Sequence, residues 1–268
     1  MSNIDAVNAL LTAINFDRFH EIEARHAPAA VFSSFRGPDL RSSVAIADWH
    51  REFLKDYADC NYGDLEYIED GDVVVTRATI GAKGYDWREF TQRVLEIFRV
   101  DGEEIAERRL YGMHRDLEFD KPTQQAMDDA VGFRGGSPSE TRKTVESFAA
   151  AASTGDSDAM KEALHERVAC IDGVYGIVNG ADAVIELLSS LPRPVFGSER
   201  VTAVFAGEHS AAAEYAYDDA HPRDADFYRL VDGKIRVIER YWMLRAIGVR
   251  PEENYANDRH VRKVIYPA

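Results

Sequence analysis

The sequence lacks paired cysteines, long apolar runs and the pattern of a secretory leader. Only Cys60 and Cys170 occur in 268 residues, and their wide separation favours neither a disulfide framework nor a paired-cysteine zinc site. No segment approaches the roughly 18 uncharged apolar residues of a membrane helix. The N-terminus has no basic region followed by an apolar block. We therefore expect a cytoplasmic protein that makes no contact with a membrane.

Basic residues are also fewer than acidic residues. The chain has 47 acidic and 32 basic residues, a net charge of −15. Such a chain repels phosphate backbones, and no basic cluster interleaved with aromatic residues offsets the repulsion. No two histidines have the spacing of a helical zinc pair. These absences exclude nucleic acid as an expected partner and predict no metal site.

What is present is a pattern of helices and strands that occurs twice. In each half, three segments with apolar residues at helical spacing precede segments that alternate like half-buried strands. Landmarks align at an offset of about 130 to 140 residues; they pair Asp17 with Asp156, His26 with His165, and Tyr111 with Tyr241. A chain of this length has room for two domains of about 130 residues. The pattern therefore predicts a duplicated domain.

The domain boundaries follow from the breaks in the pattern. We assign residues 1–116 to the first domain and 139–247 to the second. Residues 117–138 are predicted to be a linker with a short helix, because Gly135-Gly136-Ser137-Pro138 is a flexible breaker. Residues 248–268 retain several apolar side chains and are predicted to form a C-terminal arm.

The residues that mark helix ends and hairpins resemble those of a known family. Thr154-Gly155-Asp156, Gly180 and the hairpins at 98–102 and 228–233 are similar to SnoaL-type polyketide cyclases, ketosteroid isomerases and other nuclear-transport-factor-like proteins. The resemblance covers roughly residues 3–113 and 140–244. It implies an α+β fold of two cystatin-like cone domains, each with three N-terminal helices packed on a curved antiparallel sheet around an apolar cavity. It also implies that the two copies pair as a pseudo-dimer within the chain, and further oligomerisation stays open.

The resemblance carries over few catalytic residues. The tyrosine of ketosteroid isomerases is replaced by Ala9 and Phe148, and the place of the base falls near Ser33 and near Cys170 or Ile171. The carboxylate of SnoaL-type cyclases is replaced by Leu110 and Arg240. Only Asp226, and more loosely Glu96, falls near the position of the acid that stabilises an oxyanion. The isomerase mechanism as such is therefore not expected.

Two carboxylates of the second copy are the predicted catalytic pair. Asp226 and Glu239 lie on adjacent strands of a predicted hairpin, so their side chains can meet in the cavity. Repulsion and burial there would raise the pKa of Asp226. Asp226 would then serve as an acid or hydrogen-bond donor. In the alternative, both are solvated or pair with Arg229 and Arg240.

The predicted ligand-binding residues are mostly aromatic. In the second copy they are Phe148, Cys170, Tyr215, Tyr228 and Trp242, and in the first copy Trp49, Trp87, Glu96 and Tyr111. Three of these residues also have a purely structural interpretation. Cys170 can be a small buried residue, Trp49 can belong to a core stripe, and Glu96 can form a surface ion pair. The second copy has more aromatic residues and is the predicted ligand site.

Two functions fit these observations. The first is a cofactor-free acid–base enzyme, an isomerase, a cyclase or a hydrolase-like protein, acting on a small hydrophobic molecule. The alternative is a non-catalytic module for ligand binding or association.

Overall fold

The computed structural model describes residues 2–35, 37–84, 89–113, 117–190, 200–216 and 224–243. The chain divides into two compact units. The N-terminal unit consists mostly of Met1–Asp116, and the C-terminal unit is Leu117–Trp242. The predicted C-terminal arm at 248–268 lies outside the described residues, as does Trp87.

The described residues of the N-terminal unit form three helices and six strands. They are α1 (Asn3–Asn15), α2 (Phe19–Ala24), β1 (His26–Ser34), β2 (Gly37–Arg41), α3 (Ser43–Asp56), β3 (Tyr57–Asp70), β4 (Val73–Gly84), β5 (Glu89–Asp101) and β6 (Glu104–Gly112). A capping box starts α1, since Ser2 Oγ accepts from Asp5 N at 3.1 Å and Ser2 N donates to Asp5 Oδ2 at 2.9 Å. The predicted apolar face of α1, including Leu10 and Leu11, is buried.

The C-terminal unit repeats this order after one extra helix. It contains α4 (Lys121–Gly132), α5 (Pro138–Thr154), α6 (Ser157–Ala163), β7 (Leu164–Asp172), β8 (Gly176–Asn179), α7 (Ala181–Ser190), β9 (Arg200–Ala206), β10 (Ser210–Ala216), β11 (Asp224–Val231) and β12 (Lys234–Trp242). Ser137 caps the start of α5, and Gly155 ends the helix at φ 74°, a left-handed conformation that costs glycine little. The predicted turn at Asp232-Gly233, with both φ values positive, joins β11 to β12.

Each unit has the same strand pairing. In the N-terminal unit β3, β4, β5 and β6 form antiparallel neighbours, and β1 pairs with β6 in parallel. In the C-terminal unit β9, β10, β11 and β12 are antiparallel neighbours, and β7 pairs with β12 in parallel. The long antiparallel sheet and the helices agree with the predicted α+β class and the cystatin-like fold.

Two features of each unit differ from the sequence analysis. A hairpin, β1 with β2 or β7 with β8, lies between the second and third helices, where no strands were predicted. Its first strand is parallel to the last strand, so the sheet is not wholly antiparallel. His26, which was predicted to end α2, begins β1, although its ring still contacts the helix end through Ile22 O at 2.7 Å.

The helix predicted within the linker packs on the C-terminal unit. Asp129 of α4 accepts from Arg236 Nη2 of β12 at 2.9 Å, and Asp120, the N-cap of α4, accepts from Asn179 Nδ2 of β8 at 3.1 Å. The buried face of α4 includes Ala126 and Met127. Residues 121–132 therefore contribute to the core of this unit.

Among the residues that the structure describes, no helix is long and apolar enough to cross a membrane.

Candidate functional site

The candidate site lies on one face of the sheet in the C-terminal unit. Asp226 of β11 is in register with Arg240 of β12, and Tyr228 is in register with Ile238. Because successive side chains of a strand point to opposite faces, residues 226, 228, 238 and 240 share a face. Tyr215, Asp226, Tyr228 and Arg240 line a cavity of about 40 Å³. Phe148 of α5, Leu188 of α7 and Val201 of β9 form apolar parts of its wall.

A chain of hydrogen bonds runs along this wall. Tyr228 Oη donates to Asp226 Oδ2 at 2.9 Å, and the hydroxyls of Tyr215 and Tyr228 are 2.5 Å apart. Since the single hydroxyl proton of Tyr228 goes to Asp226, Tyr215 is the donor to Tyr228. Burial, followed by the charge of Asp226, raises the pKa of Tyr228 well above its ordinary value. Both hydroxyl protons are therefore directed along the chain towards a carboxylate.

Arg240 occupies the centre of the polar cluster. Its Nε donates to Asp226 Oδ1 at 3.0 Å, and its terminal nitrogens lie 3.7 Å from Asp172 Oδ2 and 3.8 Å from Asp224 Oδ2. The guanidinium also stacks 4.9 Å from the ring centre of Trp242. Three buried carboxylates thus surround one cation.

Asp172 is held by donors on one oxygen. Its Oδ1 accepts from Val174 N at 2.6 Å, from Tyr175 N at 3.0 Å and from Trp242 Nε1 at 3.3 Å. Burial raises the pKa of Asp172, although Arg240 and the two backbone donors oppose that rise. The residue links the end of β7 to the last strand of the sheet.

Most of the predicted residues of the second copy meet on this face. Phe148 contacts Tyr228 edge to face, with ring centres 6.0 Å apart, and Trp242 is fully buried beside Arg240. Cys170 of β7 is also on this face, in register with Ile238. Burial, together with the nearby Asp172, raises the pKa of the Cys170 thiol, so it stays a neutral side chain.

Glu239 is not part of this cluster. It is in register with Phe227, one residue out of phase with Asp226 and Arg240, so its side chain points to the other face. There it accepts from Arg229 Nη1 at 2.5 Å. The expected meeting of Asp226 with Glu239 is thus corrected, because the charged neighbour of Asp226 is a guanidinium and not a second carboxylate.

The described ligand-binding candidates of the first copy differ in their contacts and in the faces they occupy. Glu96 lies fully buried inside the N-terminal unit, where it pairs with Arg108 at 2.9 Å, so it is not a surface ion pair. Trp49 packs against Phe32, at 5.2 Å between ring centres, and stacks on Phe53 at 5.6 Å, as expected of a core stripe. Tyr111 is in register with Leu95 and so points away from the face that carries Glu96.

Three charged groups of the two interiors were not among the predicted site residues. Arg240 was expected only as an alternative ion-pair partner, and Arg108 and Asp172 were not predicted at all. A signal for Asp172 exists, because it directly follows the apolar run 168–171 and precedes Gly173, so a carboxylate ends a buried strand. The arginines had no comparable signal, since arginine in a strand is ordinarily exposed.

A larger groove, about 830 Å³, lies elsewhere on the C-terminal unit. Its lining includes Lys161, Asp182 and Lys234, and Lys161 pairs with Asp182 at 2.6 Å in an exposed ion pair. Lys234 donates to Glu162 O at 2.8 Å. Lys161 and Asp182 thus neutralise each other in solvent, and Lys234 is bound to a main-chain carbonyl, so the smaller cavity is the better candidate site. Within the described ranges, no group of three potential ligands could hold a metal ion.

The profile of the SnoaL-like domain family matches residues 7–108. No curated protein sequence matches the chain. Among solved structures, the chain is similar to a putative polyketide cyclase from Streptomyces antibioticus, with 17% identity, a TM-score of 0.39, and coverage of 42% of this chain and 92% of that chain. It is similar to an LEH-like epoxide hydrolase from M. tuberculosis, with 22% identity, a TM-score of 0.36, and coverage of 41% and 81%. A protein with a ketosteroid isomerase-like fold from Catenulispora acidiphila, in complex with trimethylamine, gives 16% identity, a TM-score of 0.38, and coverage of 44% and 87%.

Proposed function

We propose that the C-terminal unit binds a small, mostly apolar molecule and catalyses proton transfer on it without a cofactor. The SnoaL-like match at residues 7–108 lies in the N-terminal unit, whose strand pairing the C-terminal unit repeats. The observation that carries the proposal is the buried chain of Tyr215, Tyr228, Asp226 and Arg240 along the wall of a cavity. A carboxylate with ordered donors beside an apolar wall is the arrangement that general acid–base chemistry needs.

The contacts favour a base at Asp226 in place of the acid expected from the sequence. Arg240 compensates the negative charge of the carboxylate at 3.0 Å, so the carboxylate can be kept in a buried place. Asp226 would accept a proton from carbon or from water. The hydroxyl of Tyr215, at the outer end of the chain, would turn from Tyr228 to donate to the oxygen that gains negative charge.

The size of the cavity limits the ligand. A volume of about 40 Å³ is far below the roughly 300–1,000 Å³ of pockets for drug-sized ligands. A compact carbonyl compound is therefore the favoured substrate class, unless the side chains of Leu188 and Val201 move aside. Proton abstraction next to a carbonyl serves isomerisation and cyclisation alike, and the same base can activate water.

The small cavity also favours a second candidate function. Asp226 accepts two hydrogen bonds from its own unit and Cys170 is a neutral thiol, so the site is stable with no reaction to perform. In this alternative the C-terminal unit is a non-catalytic module that binds a small molecule.

Isotope exchange separates the two functions without knowledge of the product. Small cyclic and acyclic ketones are incubated with the protein in D₂O, and the loss of α-proton signals is followed by NMR. We expect faster exchange with the native protein than with the Tyr228→Phe variant, and an exposed control, Asp128→Asn, should match the native rate. Binding detected by thermal shift without any exchange would support the non-catalytic module. Neither binding nor exchange for any compound of the panel would contradict both functions.

A further inference from the structure

The side chain of Arg108 is fully buried inside the N-terminal unit. Arg108 of β6 makes a two-point contact with Glu96 of β5, with Nε 2.9 Å from Oε2 and Nη2 3.2 Å from Oε1. Both side chains are fully buried. Two parallel donors on one carboxylate form the strongest and most directional type of ion pair in proteins.

Neutral acceptors complete the surroundings of this guanidinium. Tyr62 Oη accepts from Arg108 Nη2 at 2.9 Å, and His50 Nε2 lies 2.9 Å from Arg108 Nη1. Because arginine has no acceptor, His50 Nε2 must be the acceptor and the imidazole is neutral. Burial, followed by the charge of Arg108, lowers the pKa of His50 well below its ordinary value, which agrees with a neutral ring.

Two aromatic rings flank the same group. The guanidinium carbon lies 4.6 Å from the ring centre of Phe32 and 5.7 Å from that of Phe98. Both rings are buried, so these cation–π contacts are formed away from water and are stronger than at a surface. A carboxylate, two neutral acceptors and two rings thus surround one planar cation.

We propose that the interior of the N-terminal unit is a binding site for a planar organic cation of the guanidinium class, which the chain fills with its own Arg108. The inference is independent of the reaction proposed for the C-terminal unit. The ligand groups, Glu96, Tyr62, His50, Phe32 and Phe98, come from strands and a helix other than the strand of Arg108. They form a site that does not need the backbone of β6 to hold the cation.

The register of the strands explains why only one unit is filled in this way. Glu96 is in register with Leu110, and Asp226 is in register with Arg240, so the two acids hold equivalent positions. Arg108 lies two residues before Leu110 on β6, and the matching position on β12 is Ile238. The arginine of the C-terminal unit therefore approaches its acid from a different position along the strand, and a cavity remains beside Tyr228.

Chemical rescue tests the proposal. Arg108→Ala removes the guanidinium and two methylene groups, and ethylguanidinium chloride supplies the same atoms in solution. We expect ethylguanidinium at millimolar concentration to raise the Tm of the variant saturably, by about 2–4 °C. Ethylurea, a neutral molecule of the same shape, should not raise it, and neither compound should raise the Tm of the native protein, whose site is occupied.

A second variant tests whether the carboxylate of Glu96 selects a cation over a neutral molecule. In Glu96→Gln with Arg108→Ala the cavity stays open but its charge is gone, so ethylguanidinium should lose its advantage over ethylurea. If Arg108→Ala alone does not fold, because it leaves Glu96 buried without its partner, the yield of refolded protein is measured with each compound. A higher yield with ethylguanidinium supports the site. Equal Tm values or equal yields with ethylguanidinium and ethylurea would overturn the proposal.

Discussion

Arg240 donates from Nε to Asp226 Oδ1 across 3.0 Å, and both side chains are buried in the C-terminal unit. The charged neighbour of Asp226 is thus a guanidinium and not the carboxylate of Glu239, which lies on the other face of the sheet. In the proposed function Asp226 therefore serves as a base, in place of the acid expected from the sequence. The contact also gives Arg240 a part in the site, because without the guanidinium a buried carboxylate would be costly.

Asp226→Asn is the most direct test of this role. The amide keeps the size of the side chain and can still accept a hydrogen bond from Tyr228, but it cannot take up a proton. We expect the rate of exchange or turnover to fall about 10²- to 10⁴-fold. The affinity for the ligand should change much less. Rates of the two proteins are compared by NMR and affinities by calorimetry; an unchanged rate would remove Asp226 from the catalytic role.

Glu239 should matter for stability and not for the ligand. It pairs with Arg229 at 2.5 Å, and the Arg229 guanidinium lies 4.9 Å from the ring centre of Phe227 on the same face. Glu239→Ala leaves the buried arginine without this carboxylate, which costs about 3–5 kcal/mol. Denaturant unfolding should show that loss, while ligand affinity, measured under native conditions, should stay within twofold. A selective loss of affinity without a loss of stability would return Glu239 to the site.

The misplacement of Glu239 shows where prediction from sequence stops. All residues of β11 from Asp224 to Leu230 are buried, and so are all residues of β12 from Ile235 onward. With both faces covered there is no alternation of apolar and polar residues from which to assign a face. Tyr228 and Asp226 share a face because they are two residues apart on β11, and Arg240 and Trp242 share it because they are two residues apart on β12. Glu239 is three residues from Trp242 on β12, and this odd spacing places its side chain on the opposite face.

The order of elements was easier to predict than the first hairpin of each unit. Helical faces such as that of α1 repeat over many residues, so the pattern is strong. By contrast, β1 reads His-Ala-Pro-Ala-Ala-Val-Phe-Ser-Ser, which is poor in β-branched residues over its first half. It pairs in parallel with β6, and the paired residues are far apart in the sequence. Phe32, for example, is in register with Arg108, some 75 residues later. Local patterns do not contain such a long-range contact.

The buried histidine at the start of β1 should make stability depend on pH. Burial, followed by the charge of Arg108, lowers the pKa of His26 to about 4, although its hydrogen bond to Ile22 O opposes the shift. In the unfolded chain the ring takes up a proton near pH 6.5, where the folded protein does not. Stability from this group is therefore fully present above about pH 6.5 and is lost as pH falls towards 4, by up to about 3 kcal/mol.

His26→Asn isolates that contribution. The amide nitrogen of asparagine can occupy the place of Nδ1 and donate to Ile22 O, but the side chain does not titrate. The free energy of unfolding is measured in urea at pH 7.5, 6, 5 and 4.5 for both proteins. We expect the native protein to lose more stability than the variant between pH 6.5 and 4.5. Parallel curves over that interval would contradict the assignment.

Two neighbouring aspartates of α4 test whether this helix is part of the C-terminal core or only a connection. Asp129 accepts from Gln125 Nε2 at 2.8 Å and also from Arg236 Nη2 at 2.9 Å, and Arg236 is buried. Asp128 accepts from Gln124 Nε2, also at 2.8 Å, and is exposed on the surface of the helix. The two positions therefore differ in the contact with β12 and in the partial burial of Asp129 that goes with it.

We expect Asp129→Ala to lower the free energy of unfolding by about 1.5–3 kcal/mol, because a buried guanidinium loses a charged acceptor. Asp128→Ala should cost no more than about 0.5 kcal/mol, the usual range for a surface substitution. Urea unfolding of both variants, followed by the fluorescence of the tryptophans, gives the comparison. Because Trp242 lies on the strand that carries Arg236, its signal reports on the same unit. Equal and small effects at both positions would mean that α4 stabilises nothing beyond itself and that residues 117–138 are the linker first predicted.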